Sequence, residues 1–161
     1  MEDPGGRRPV RVLACGAADR GDDAVGLLAV RRLPADPAGL AEIREVGQLE
    51  VEALLDVPSR AACLVVDAAA GVSPGEVVIL PLTEVARGGA APFSTHGLPA
   101  EQVVALAEVL GGTLPRGSFV GLGIASVGVG SGLSPVVAAS LDAFVAAIAG
   151  EIRRLADAAA D

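Results

Sequence analysis

From Val10 to Leu33 the chain reads as strand, glycine loop and helix. Val10–Cys15 is a nearly unbroken apolar run, as in a strand buried on both faces. Gly16-Ala17-Ala18-Asp19-Arg20-Gly21-Asp22-Asp23-Ala24-Val25-Gly26 follows. Val25, Leu28, Ala29 and Leu33 then keep helical spacing, and Pro34 and Pro37 stop the helix. Two adjacent carboxylates therefore stand at the mouth where the helix begins.

The pattern recurs. Ile43–Val46 suits a short strand, and 49–55 a short helix ended near Pro58. Ala61–Val66 is a second strong buried strand with Asp67 at its carboxyl end. Gly71–Gly75 turns the chain into a further strand, Val77–Leu80. A long connection over 81–98 carries His96, the only histidine. Glu101–Leu110 reads as a helix with Val103, Leu106, Ala107 and Leu110 on its apolar face. Phe119–Ala125 is a strand containing Gly121 and Gly123, and 126–133 is a glycine-rich loop. Ser134-Pro135 forms an N-cap and first helical position. The last helix carries the stripe Val137, Leu141, Phe144, Val145, Ile148, Ile152 and Leu155. Strands alternating with helices predict a three-layer α/β/α sandwich. Its sheet is twisted, mainly parallel and of about five strands, with helices on both faces. Residues 1–161 form one domain in this reading, with 1–8 a flexible tail.

Twenty acids oppose twelve arginines, giving a net charge of -8 with no lysine. Such a surface repels polyphosphate, so nucleic acid is an unsuitable partner. Without lysine there is no Schiff-base chemistry. Cys15 and Cys63 lie in apolar runs and read as buried thiols of a reducing compartment. Neither a signal core nor a membrane-spanning run is evident, which predicts a cytoplasmic protein.

In an open α/β sheet, ligands bind beyond the carboxyl ends of the strands. That rule brings Asp22 and Asp23, Asp67 and His96 to one edge. Spacing makes Asp22 a helix cap and leaves Asp23 between capping and ligation. Asp67, closing a buried run, has no such alternative. A lone loop histidine is ordinarily a surface residue; only convergence makes His96 a candidate. Two carboxylates and an imidazole suit Ni²⁺ or Zn²⁺ better than Ca²⁺ and leave coordination positions open.

Other motifs fail on physical grounds. Gly16 and Gly21 have phosphate-loop spacing, but Asp22-Asp23 replace the required Lys and Ser/Thr. Gly71-Val72-Ser73-Pro74-Gly75 matches a nucleophile elbow, yet proline and another strand follow Ser73 instead of a helix. Ser94-Thr95-His96 names no oxyanion hole. The Gly128–Gly132 loop could hold an anion or a peptide carboxylate, and flexibility explains it equally well.

Taken in order, the motifs resemble the hydrogenase maturation proteases. These endopeptidases process the large subunit of [NiFe] hydrogenases. The resemblance rests on Gly16–Gly26, on Val65-Val66-Asp67-Ala68 with Pro74-Gly75, on Ser94-Thr95-His96, and on Leu133-Ser134-Pro135. It covers about Val10 to Ile152. It implies Asp23, Asp67 and His96 as metal ligands and catalytic residues. The family recognises Ni²⁺ already installed in the immature large subunit, with Zn²⁺ or Cd²⁺ able to substitute, and removes a C-terminal extension. The expected partner is that precursor, and the expected state a monomer or weak homodimer. Two positions depart from the family pattern: Ala17 replaces an Asn, and Asp19 an apolar residue. Two alternatives remain on the same scaffold: a non-proteolytic metal- or precursor-binding module, and a divalent-metal-dependent hydrolase of another substrate.

Overall fold

The computed structural model describes residues 6–36, 39–88, 99–128, 130 and 132–157. Five strands are present: β1 (Val10–Cys15), β2 (Ala41–Gly47), β3 (Ala62–Ala69), β4 (Val77–Pro81) and β5 (Gly117–Gly123). They form one sheet in the order β2-β1-β3-β5-β4. All neighbours are parallel except β4, which runs antiparallel to β5 at one edge.

Alternation along the central strands builds two cores. Val10, Val12 and Ala14 of β1, with Leu64 and Val66 of β3, face α1 (Val25–Arg31) and α5 (Pro135–Asp157). Leu13 and Cys15, with Cys63, Val65 and Phe119, face the other way. They meet α2 (Val51–Leu55), α3 (Leu82–Ala86) and α4 (Ala100–Gly111). The sandwich expected from sequence is therefore present.

Arg11 is the one charge inside β1, and it is 7% exposed. Its guanidinium donates to the Asp56 carbonyl at 2.9 Å and to Glu42 Oε2 at 3.1 Å. Glu42 is its register partner on β2, so the buried charge is paired across the sheet.

The stripe on α5 is buried as expected, with Phe144 and Ile148 fully enclosed. Burying each contributes about 1.5–3 kcal/mol. Contrary to the sequence expectation, this 23-residue helix is long and apolar enough to cross a membrane, with a mean hydropathy of 1.6. Its apolar side is the face packed on the sheet.

Two local expectations are corrected. α3 lies inside the stretch read as connection: Pro81 leads in, and Leu82 and Val85, three residues apart, bury against α4. On α4 the buried face is Ala100, Val103, Val104 and Ala107, while Leu106 and Leu110 are exposed. Within the expected tail, Arg8 donates its N–H to the Ala156 carbonyl at 2.9 Å, and Arg7 pairs with Asp157 at 3.1 Å.

Candidate active site

After β1 the chain crosses to β2 on one side; β3 then returns to the other side of β1. This reversal leaves a crevice beyond the carboxyl ends of β1 and β3. Gly16, at φ 141°, turns the chain out of β1 into a 3-10 turn, Gly21–Ala24, that runs on into α1. A Cβ at Gly16 would lie 2.2 Å from the Asp23 carbonyl oxygen, so only glycine lets the turn fold back this far. The turn carries both acids to the crevice.

Asp22 does not cap the helix. Its side chain is fully buried and accepts four hydrogen bonds from the far side of the sequence. The Ala125 and Ser126 N–H groups reach Oδ2 at 2.9 Å each. The Ser134 N–H reaches Oδ1 and its hydroxyl reaches Oδ2, both at 2.7 Å. Burial opposes the charge, but the Ser134, Ala125 and Ser126 donors outweigh it and hold the carboxyl below its ordinary value. The Ser134 hydroxyl, expected to cap α5, is spent on Asp22. Sequence reasoning missed this contact because it spans more than a hundred residues; the only local sign was Ser134-Pro135.

Asp23 is 8% exposed and is likewise not a side-chain cap. The Ala17 N–H donates to its Oδ2 at 3.1 Å. Ala17, which departs from the resembled motif, orients Asp23 through the backbone alone.

Asp67 lies within β3, two residues before its end, rather than at its terminus. It is in register with Gly121, and the Ala68 N–H donates to its Oδ1 at 2.8 Å. Burial pushes the Asp67 carboxyl up to about 7; the Ala68 N–H pulls it down, and the charge of Asp23 pushes it up again. Asp67 thus senses the charge of Asp23 across the crevice. Two carboxylates so placed are relieved by a proton or by a divalent cation, and the donor set suits a transition ion once an imidazole joins it. Cys15 is buried beside them. Burial, then the Asp67, Cys63 and Asp23 charges, push its thiol well up, so it stays protonated. Burial likewise pushes Cys63 up to about 12.

His96 and the Ser94-Thr95-His96 motif lie outside the described residues. Among the described residues, no three His, Cys, Asp or Glu side chains gather as a metal cluster. The structure thus brings two members of the expected trio to one edge. Ser73 is an exposed residue of the turn between β3 and β4, with no helix after it.

A sequence profile described as hydrogenase maturation protease matches residues 34–151. Asp67 and His96 fall within that match; Asp23 and its glycine turn precede it. A comparison with curated proteins found no significant match. Among solved structures, the hydrogenase maturating endopeptidase HybD from E. coli superposes with a TM-score of 0.72 at 24% identity, covering 91% of this chain and 93% of that one. The [NiFe] hydrogenase maturation protease HycI from Thermococcus kodakarensis gives 0.65 at 25% identity, covering 92% and 94%. A hydrogenase 3 maturation protease gives 0.66 at 22%, covering 89% and 90%. These likenesses carry the fold, and the profile, spanning most of the chain, carries the lineage: the chain belongs to the hydrogenase maturation protease family.

Proposed function

We propose that this protein is the endopeptidase that removes the C-terminal extension from the precursor of a [NiFe]-hydrogenase large subunit, reading nickel already installed there. Family membership supports the reaction class. One observation carries the metal reading. Asp23, on the turn after β1, and Asp67, within β3, come to the switch point of the sheet, and the charge of Asp23 adds to the need of Asp67 for a positive neighbour. Asp23, Asp67 and His96 would hold the precursor's nickel, which in turn would supply a Lewis acid beside the scissile bond.

The chain's own residues have separable tasks. Asp23 is aimed by the Ala17 N–H and offers its carboxylate oxygens as ligands. Asp67, with a carboxyl at about 7, holds a proton part of the time near neutrality and surrenders it when a cation arrives. Requiring the substrate's own ion makes metal insertion a licence for cleavage. The departures at Ala17 and Asp19 leave this arrangement standing: Ala17 acts through its N–H, and Asp19 through its carbonyl, which accepts from Gly130 at 2.8 Å. A cytoplasmic location and a monomeric or weakly dimeric state complete the proposal.

The test is incubation with a candidate precursor, with and without nickel, followed by product mass. A shortened large subunit only in the nickel-loaded sample is the expected result. Equal cleavage in both samples defeats the nickel reading; binding without cleavage in either defeats the protease and favours a precursor-binding module.

A further inference from the structure

Resting on that reading, we propose that Asp22 is a positioning residue: by clamping the Ala125–Ser134 segment to the 3-10 turn, it fixes the direction in which Asp23 points. The contacts form a closed set. The Asp22 N–H donates to the Ser126 carbonyl at 2.9 Å, while the Ser126 N–H returns to Asp22 Oδ2. Ser134, at the other end of the glycine-rich loop, supplies both its N–H and its hydroxyl. Between them, the Gly130 N–H donates to the Asp19 carbonyl. Gly21, at φ 58°, lets the surfaces meet: a Cβ there would lie 3.0 Å from the Ser126 carbonyl oxygen and 3.3 Å from that of Gly128.

Asp22 and Asp23 are consecutive in a tight turn, so their side chains leave the backbone in different directions. With Asp22 held on one side by four donors, the turn cannot rotate to carry Asp23 away from the crevice. The Ala17 N–H then sets the last torsion of Asp23. This arrangement assigns the two adjacent acids opposite duties. One is buried, saturated with donors and turned toward α5; the other is left to ligate. It also ties Ala125, Ser126, Gly130 and Ser134 to the ligand turn.

Ser134→Ala removes one donor from Asp22 and leaves its three N–H donors in place, so the fold is retained; Ser134→Thr restores the hydroxyl. KM and kcat would be measured on nickel-loaded precursor for the wild type and both variants. The Asp23 carboxyl 13C resonance and Tm would be recorded for the same proteins. Ser134→Ala should raise KM about tenfold with kcat little changed, as for a lost ground-state contact to a charged group. It should also shift the Asp23 resonance, and Ser134→Thr should restore both. A lower Tm with unchanged KM and an unmoved Asp23 resonance would reduce Asp22 to a structural anchor and overturn the proposal. If the wild type itself cleaves no nickel-loaded precursor, the functional reading falls separately, and the Asp23 resonance alone decides the positioning claim.

Discussion

Gly26 packs against the end of β1 so closely that a Cβ on it would lie 2.6 Å from the Cys15 carbonyl oxygen. The same Cβ would stand 3.3 Å from the Val66 carbonyl oxygen and 3.5 Å from Asp67 Cα. The missing side chain at Gly26 therefore sets the separation between α1 and the central strands, and with it the distance between the two acids. Gly26→Ala should push α1 outward and destabilise the protein by about 1–3 kcal/mol, as overpacking does. Processing should fall more steeply than stability. Thermal melting and precursor cleavage, measured on the same preparation, check this; a variant with normal Tm and normal cleavage would refute it.

Asp67→Asn tests whether this carboxylate is kept at the expense of stability. The folded-state carboxyl is raised to about 7, above the roughly 3.9 of an unfolded Asp. Ionised Asp67 therefore opposes folding at neutral pH, and the penalty vanishes below the unfolded value. Asparagine keeps an acceptor for the Ala68 N–H and carries no charge. Its Tm should rise by about 2–4 °C for each kcal/mol recovered, while processing is lost. A lower Tm together with intact processing would contradict both halves.

The large features were legible because they are repetitive. Val10–Cys15 and the buried run at Cys63–Val66 announce central strands, and the α5 stripe declares its face. α3 was not legible, because five residues show too little of a helical period and only Leu82 and Val85 bury. On α4, both Val103-Leu106-Ala107-Leu110 and Ala100-Val103-Val104-Ala107 keep helical spacing; contact with α2 and α3 selects the second. At the site, the shared edge of Asp23 and Asp67 follows from topology alone. The duty of Asp22 does not, since its partners lie at Ala125, Ser126 and Ser134.

Capture of nickel-loaded precursor should depend on pH through Asp67. A proton and a cation compete for that carboxylate, whose raised value is about 7. Affinity should be level above that value and fall by up to about tenfold per pH unit below it. Nickel-free precursor, which offers no ion, should show no such dependence. Binding measured for both precursors from about pH 5 to about pH 9 separates the two cases. Identical profiles would remove Asp67 from ion recognition.

Asp22 contributes to the acid limb of the stability curve. Its carboxyl is held below the ordinary value of 3.8 because the Ser134, Ala125 and Ser126 donors outweigh burial. A depressed carboxylate contributes stability that is fully present above the unfolded value and lost as pH falls through the folded one. Asp22→Asn should therefore lower stability near neutrality by about 2–4 kcal/mol, since its amide would turn a donor toward the N–H groups that now bind oxygen. As pH falls through the folded-state value the wild-type carboxyl also becomes protonated, and the two proteins should converge. Melting curves of both, followed from neutral to strongly acid solution, read this directly: the gap in Tm should close on the acid side. A constant gap across the range would mean that the charge on Asp22 contributes nothing and that its shape alone holds the loop.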